Sequence, residues 1–143
     1  MATLISRPAT MADAQLLFNW RTDLLARTNS LTSTDFDYSS HLQWLEQSLD
    51  NPDRRILIYF SENEAIGMGR ADHLEDSYLL SWTIAPDFRG QGHSVELVRD
   101  LVDKFSPAIA KIKRGNSPSL RIAERLGFAK IDEADDVFTY RKD

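Results

Sequence analysis

The tightest constraint on this chain is the segment Arg89-Gly90-Gln91-Gly92-His93-Ser94. An apolar run, Tyr78-Leu79-Leu80-Ser81-Trp82-Thr83-Ile84-Ala85, leads into it. Val95, Val98, Leu101, Val102 and Phe105 follow it at helical spacing. The order is therefore strand, tight glycine turn, helix N-terminus. Glycine lets the backbone take positive φ and approach a ligand closely. The first N–H groups of the helix lack intrahelical partners, and the helix dipole favours negative charge there. Such a turn is suited to holding a diphosphate.

Two familiar phosphate loops do not fit. No Lys follows Gly92, as a Walker loop requires, and Val95 stands where a dinucleotide fingerprint has its third Gly or Ala. Net charge is −5, with a pI near 5.2, which argues against nucleic acid as a partner. That charge also repels an anionic cofactor, so local donors must hold it. With no Cys in the chain, disulfides, thiolate metal sites and cysteine nucleophiles are excluded, and no metal site is expected. No apolar run approaches the roughly 20 residues of a membrane span, and Met1 to Ser6 does not read as a signal peptide. A cytoplasmic protein without a membrane partner is the default expectation. At 143 residues, one domain spanning 1–143 is expected.

Along the chain, Thr3 to Arg7 alternates as an exposed strand that Pro8 ends. Thr10 suits an N-cap for a helix running through Leu17 and Phe18 toward Leu24-Leu25. Thr28 to Ser40 reads as a long polar loop. Ser39 or Ser40 is expected to cap a second helix, with Leu42, Leu45 and Leu49 on one face, stopped by Asn51-Pro52-Asp53. Arg55 to Phe60 and Ala65 to Ala71 form a hairpin around Glu62-Asn63-Glu64, and Gly67 and Gly69 mark a bulge or a close backbone approach. After the central helix, Ala108 to Lys113 is a short strand. Ser117 and Pro118 suit N-cap and N1 of the next helix, and Gly127 its C′ position. A terminal hairpin turns near Glu133 to Asp136. The order β-αα-βββ-α-β-α-ββ predicts an α/β (α+β) fold, a mixed, mostly antiparallel central sheet flanked by helices.

The glycine turn is followed, about one strand later, by Asn116-Ser117-Pro118-Ser119-Leu120-Arg121-Ile122-Ala123-Glu124-Arg125-Leu126-Gly127-Phe128. Together the two segments resemble the GNAT superfamily of acyl-CoA N-acyltransferases. That family's acyl-CoA loop runs Gln/Arg-x-x-Gly-x-Gly/Ala, and its next helix runs Asn…Ser…-Gly-Phe. Arg89, Gly92, Asn116, Gly127 and Phe128 match, while Ser94 stands in for Gly/Ala. The element order is also that of the family.

The resemblance implies an enzyme that transfers an acetyl group from acetyl-CoA, or another acyl-CoA, to an amine within a ternary complex. Arg89, Gly90, Gln91, Gly92, His93 and Ser94 would hold the pyrophosphate, and Asn116 the pantetheine arm or thioester region. A backbone N–H of Thr83 or Ile84 would face the developing oxyanion. Lys111, Lys113 and Arg114 would form either a solvated basic edge or a contact to the nucleotide phosphates. Many members carry Tyr as general acid where this chain has Ala123, and Tyr140, His93 and Ser119 are the available stand-ins. The CoA thiolate can also leave unassisted near neutral pH. Asn19 to Asp23, Arg27 and His41 to Leu45 resemble a branch acting on 4-amino nucleotide sugars, though Thr22 departs from its Asn. By that resemblance Arg21 and Arg27 clamp a diphosphate and Trp20 stacks on a ring; otherwise Trp20 is core and Arg21 belongs to a surface ion network. Ser81, Asp72 and His41 are candidates to take the amine proton. The expected partner is a small-molecule amine, and the chain a monomer or homodimer. Two other readings stay open: a non-catalytic acyl-CoA-binding sensor, and an acetyltransferase of protein N-terminal or lysine amines.

Overall fold

A computed structural model describes residues 3–31 and 37–143, without the side chains of Leu24, Leu25 and Arg27. The strands are β1 (Ile5–Pro8), β2 (Arg54–Ser61), β3 (Glu64–His73), β4 (Tyr78–Ile84), β5 (Ala108–Lys113), β6 (Ala129–Ala134) and β7 (Val137–Lys142). They form one sheet in the order β1-β2-β3-β4-β5-β7-β6. Every neighbouring pair is antiparallel except β4 and β5. The helices are α1 (Ala14–Thr22), α2 (Leu24–Asn29), α3 (Tyr38–Asp50), α4 (His93–Lys104) and α5 (Ser117–Arg125). The mixed, mostly antiparallel sheet flanked by helices agrees with the expected architecture.

Strand alternation divides the apolar side chains between the two faces of the sheet. On one face Leu57, Tyr59, Ile66, Leu80 and Ile84 pack with Leu97, Val98 and Leu101 of α4 and Ile122 and Ala123 of α5. On the other, Ile56 and Ile58 pack with Leu17 and Trp20 of α1 and Leu45 of α3. The glycines of β3 explain how closely the first layer packs. A Cβ on Gly69 would stand 2.7 Å from Leu101 Cδ1, and one on Gly67 2.5 Å from the Thr83 carbonyl oxygen. The strand runs through both, and its bulge lies beside them, where Tyr59 pairs with Gly67 and Phe60 with Ala65.

Several boundaries differ from expectation. The first helix is not continuous into Leu24-Leu25: at Asp23 ψ swings to 138°, ending α1. The Asp23 carboxylate then accepts the Ala26 N–H at 3.2 Å and starts α2. The predicted loop from Thr28 is shortened by α2, and its residues 32–36 lie outside those described. Asp37 rather than Ser39 or Ser40 caps α3, its side chain accepting from Ser40 N–H. Asn116 rather than Ser117 caps α5, which moves Pro118 one position inward. Thr10 does cap as expected, with Asp13 completing a capping box at the 3-10 turn Met11–Asp13. Gly127, at φ +87°, ends α5: its N–H bonds to Glu124 O and that of Phe128 to Ala123 O, a Schellman pattern.

Candidate active site

Adjacent parallel strands should stay in register along their length, yet β4 and β5 pair only at Tyr78↔Ala108, Leu79↔Ile109 and Leu80↔Ala110. Beyond those residues they part, and a cleft of about 590 Å³ opens between them. Ser81, Trp82, Thr83 and Ile84 form one wall, and Lys111, Ile112, Asn116 and Ser119 the other. Arg89, Gly90 and Ser94 lie at one end, and Ala26, Asn29 and Ser30 of the α2 region bound it as well. Lys113 Nζ reaches across to the Thr28 carbonyl at 3.1 Å, tying β5 to the end of α2.

The ladder determines which amides face the opening. Ala85 N–H donates to Ile66 O at 2.8 Å, and pairing with β3 continues without register shift to Tyr78. Antiparallel ladders alternate, so the N–H groups of Ser81 and Thr83 face β3, while those of Trp82 and Ile84 face the cleft. The Ile84 carbonyl confirms this direction: it accepts Arg89 Nε at 3.2 Å, away from β3. Thr83 is thus corrected as a backbone donor, and Trp82 takes its place beside Ile84. The side chains of Ser81 and Thr83 alternate onto the opposite face from Leu80 and Ile84, toward α1 and α3.

The glycine turn meets the requirements of an anion cradle. Gly90 has φ +76° and Gly92 φ +85°, and a Cβ at either would meet nothing within 4 Å. Gly92 caps α4 without a side-chain bond. No turn or loop carbonyl among the described residues takes the N–H of Gly90, Gln91, Gly92, His93 or Ser94. These amides and the strand amides of Trp82 and Ile84 fit the diphosphate and the amide-bearing arm of an acyl-CoA.

Side chains within the expected set behave less uniformly. Arg89 turns away from the cradle: besides Ile84 O it binds the Asp23 carboxylate at 2.7 Å, stapling the α1–α2 break to the end of β4. Gln91 bonds the Asp87 carbonyl, and the His93 ring lies against Phe88; neither lines the cleft. Asn116 lines it while its Oδ1 accepts Ser119 N–H at 3.3 Å, so capping and ligand contact can share one amide. Tyr140 is corrected: it is 5% exposed, belongs to the α4–α5 core and does not reach the cleft. Ala123 is fully buried in that core, and Ser119, one turn earlier on α5, lines the cleft.

On the α1–α3 side, Trp20 and Arg21 both line the cleft, Trp20 as part of the core. The Arg27 side chain lies outside the described residues. His41 is fully buried, with Nε2 3.0 Å from the Ala14 carbonyl and the rings of Phe18, Tyr38 and Trp44 around it. Burial pushes its pKa down, with nearby Arg21 adding to the effect against the Ala14 carbonyl, so the ring is neutral at pH 7. Asp72 is corrected as a proton acceptor: it does not line the cleft and is committed to Arg54 at 2.6 Å and Arg70 at 3.3 Å. Sequence reasoning missed Trp44, Met68, Arg70 and Arg121, all cleft-lining. Placing Arg70 and Met68 on the face of β3 opposite Gly67 and Gly69 would have found two of them.

A mixed sheet with one splayed parallel junction, next to a glycine turn that caps a helix without a side-chain bond, is the arrangement that the resemblance to acyl-CoA transferases implies. A family model described as acetyltransferase (GNAT) domain matches residues 3–129, and this chain belongs to that family. The SPbeta prophage-derived uncharacterized N-acetyltransferase YokL of Bacillus subtilis (strain 168) is 26% identical over 97 residues, covering 62% of this chain and 55% of that protein. Spermidine N-acetyltransferase from Vibrio cholerae, solved with CoA and spermine, superposes with TM-score 0.85 at 13% identity over 97% of this chain and 93% of that one. Ribosomal-protein-alanine N-acetyltransferase from Brucella melitensis gives TM-score 0.78 at 23% identity over 96% and 98%. The two structures show a shared fold. No helix among the described residues is long and apolar enough to cross a membrane.

Proposed function

We propose that this chain is an acetyl-CoA-dependent N-acetyltransferase acting on the primary amine of a small molecule. The observation that carries the reading is the conjunction of two rows of unclaimed amides, one on the splayed half of β4 and one on the glycine turn. Acetyl-CoA, when bound, supplies the acetyl group as an activated thioester. The turn amides and the N-terminus of α4 hold its diphosphate, and Lys111 and Arg121 stand at the cleft for its remaining phosphate. The N–H groups of Trp82 and Ile84 hold polar groups of the arm and face the oxygen on which charge develops. Ser81 and Thr83 present hydroxyls on the acceptor side, where they relay the amine proton to water. The Ser119 hydroxyl, with Asn116 beside it, donates to the departing sulfur.

An amino sugar linked to a nucleotide is one acceptor compatible with Arg21 in the cleft wall. The long polycation named with the Vibrio neighbour suits this wall less well, because Arg21 and Arg70 both line it. The test is thiol release from acetyl-CoA over a panel of amines, with Gly92→Asp as the control. That substitution forces a side chain into left-handed backbone, at about 1–2 kcal/mol, and puts a carboxylate where the diphosphate sits. Acetyl-CoA affinity by calorimetry is expected to fall at least about 100-fold, or about 2.7 kcal/mol. Undiminished binding by Gly92→Asp would show that the turn holds nothing. Binding without turnover of any amine would instead favour the sensor reading.

A further inference from the structure

Arg89 and Lys113, both candidates for phosphate contact in the sequence, hold the α2 segment instead. Arg89, at the start of the glycine turn, donates from Nε to the Ile84 carbonyl at 3.2 Å and from Nη2 to the Asp23 carboxylate at 2.7 Å. Lys113, at the end of β5, donates to the Thr28 carbonyl at 3.1 Å. The segment is thus gripped at one end from the turn after β4 and at the other from β5, the two strands whose parting opens the cleft. The grip on Asp23 has the larger reach. Asp23 ends α1 with its own backbone, at ψ 138°, and its carboxylate accepts the Ala26 N–H at 3.2 Å to start α2. Cleft-lining residues stand on both sides of that break: Trp20 and Arg21 before it, Ala26, Asn29 and Ser30 after it. The side chains of Arg89 and Asp23 are 28% and 22% exposed, so salt and solvent screen the pair only weakly. A rigid guanidinium that donates through two nitrogens sets direction as well as distance.

We propose that Arg89 is a positioning residue for the acceptor rather than a phosphate ligand. Through Asp23 it fixes the α1–α2 break against the end of β4, so the wall that receives the amine is aligned with the amides that receive the thioester. This rests on the acetyltransferase reading and assigns a task within it. Alignment matters because about 1 Å of misplacement between reacting groups can cost about 100-fold in rate. It also makes the two halves of the cleft interdependent: a cofactor held by the turn restrains Arg89, and Arg89 restrains Asp23.

The test compares Arg89→Met, Arg89→Lys, Asp23→Asn and the double variant Arg89→Met with Asp23→Asn. Asn keeps a side-chain oxygen for the Ala26 N–H, so Asp23→Asn removes the ion pair and leaves the cap. With an amine that the panel turns over, Arg89→Met and Asp23→Asn are each expected to lower kcat/KM for the amine about 30-fold, while acetyl-CoA affinity by calorimetry stays within about threefold. The double variant is expected to match the single ones, because both act through one contact. Arg89→Lys, a point charge that cannot span both acceptors, is expected to fall between. Effects that multiply in the double variant, or an unchanged kcat/KM for the amine, overturn the proposal. So does a loss confined to acetyl-CoA affinity, which would return Arg89 to the diphosphate. If no amine is turned over, hydrogen exchange at Ala26 decides. Acetyl-CoA is expected to slow it in the unaltered protein, and Arg89→Met to lose that slowing. The same response in both, or none in either, overturns the positioning role while cofactor binding stands. Failure of the unaltered protein to bind acetyl-CoA removes the acyl-CoA reading and this role with it.

Discussion

His41 is fully buried and also belongs to the lining of the cleft. Its ring is enclosed by aromatic neighbours and tied to Ala14 O, and burial holds its pKa below the ordinary 6.5. A base whose pKa is lower in the folded state is protonated preferentially when unfolded. Its contribution to stability is therefore complete above about pH 6.5 and is lost as pH falls toward the depressed value, at a slope of at most about 1.4 kcal/mol per pH unit. Urea denaturation at pH 7.5 and 5.5 is expected to show this decline, and His41→Phe to flatten it. Asp13, held low by Arg7 and by the Thr10 N–H, adds its own loss only below its ordinary 3.8, outside that window. At this scale the glycines and most caps were legible, because local chemistry sets them: Thr10, Gly92 and Gly127 stand where expected, while Asp37 caps α3 two positions ahead of Ser39. Arg70 was not legible, because an arginine in a strand ordinarily faces water, and nothing local reveals that it joins the cleft wall.

At the scale of elements, β3 and β4 are held together by what β3 lacks. At Gly69 the obstacle is the end of the Leu101 side chain, which can rotate; at Gly67 it is the Thr83 carbonyl, which belongs to the ladder. Gly69→Ala should cost about 1–2 kcal/mol and Gly67→Ala about 3 kcal/mol or more, compared by urea midpoints. Gly67 pairs with Ile84, whose amide faces the cleft. Displacing that pair should also weaken acetyl-CoA binding, whereas Gly69→Ala should leave it intact. The strands and central helices were readable from their periodicity. The break at Asp23 was not: no Gly or Pro marks it, and the contact that fixes it, to Arg89, spans 66 residues. The parting of β4 from β5 was equally invisible, since it is a pairing that fails to continue rather than a pattern that any residue announces.

For the molecule as a whole, binding that occurs only in the folded state must raise stability. At 100 times its dissociation constant acetyl-CoA should add about 2.7 kcal/mol, or about 8 °C in Tm for a domain of this size. Hydrogen exchange should slow at Trp82 and Ile84, which face the cleft, more than at Ser81 and Thr83, already shielded by β3. Equal slowing at all four would mean that general tightening, not contact along β4, accounts for the effect. The wedge between β4 and β5 has a consequence for what the sheet admits. Bare amides on an outer rim invite any extended peptide to zip on and begin a fibre. Here the walls converge to ordinary strand spacing, about 4.8 Å, at Leu80 and Ala110. A pleated intruder needs twice that width, so near the apex it is refused by size alone. A slender, single-file molecule is not, and the protein can keep its stickiest backbone open without becoming a template for its own aggregation.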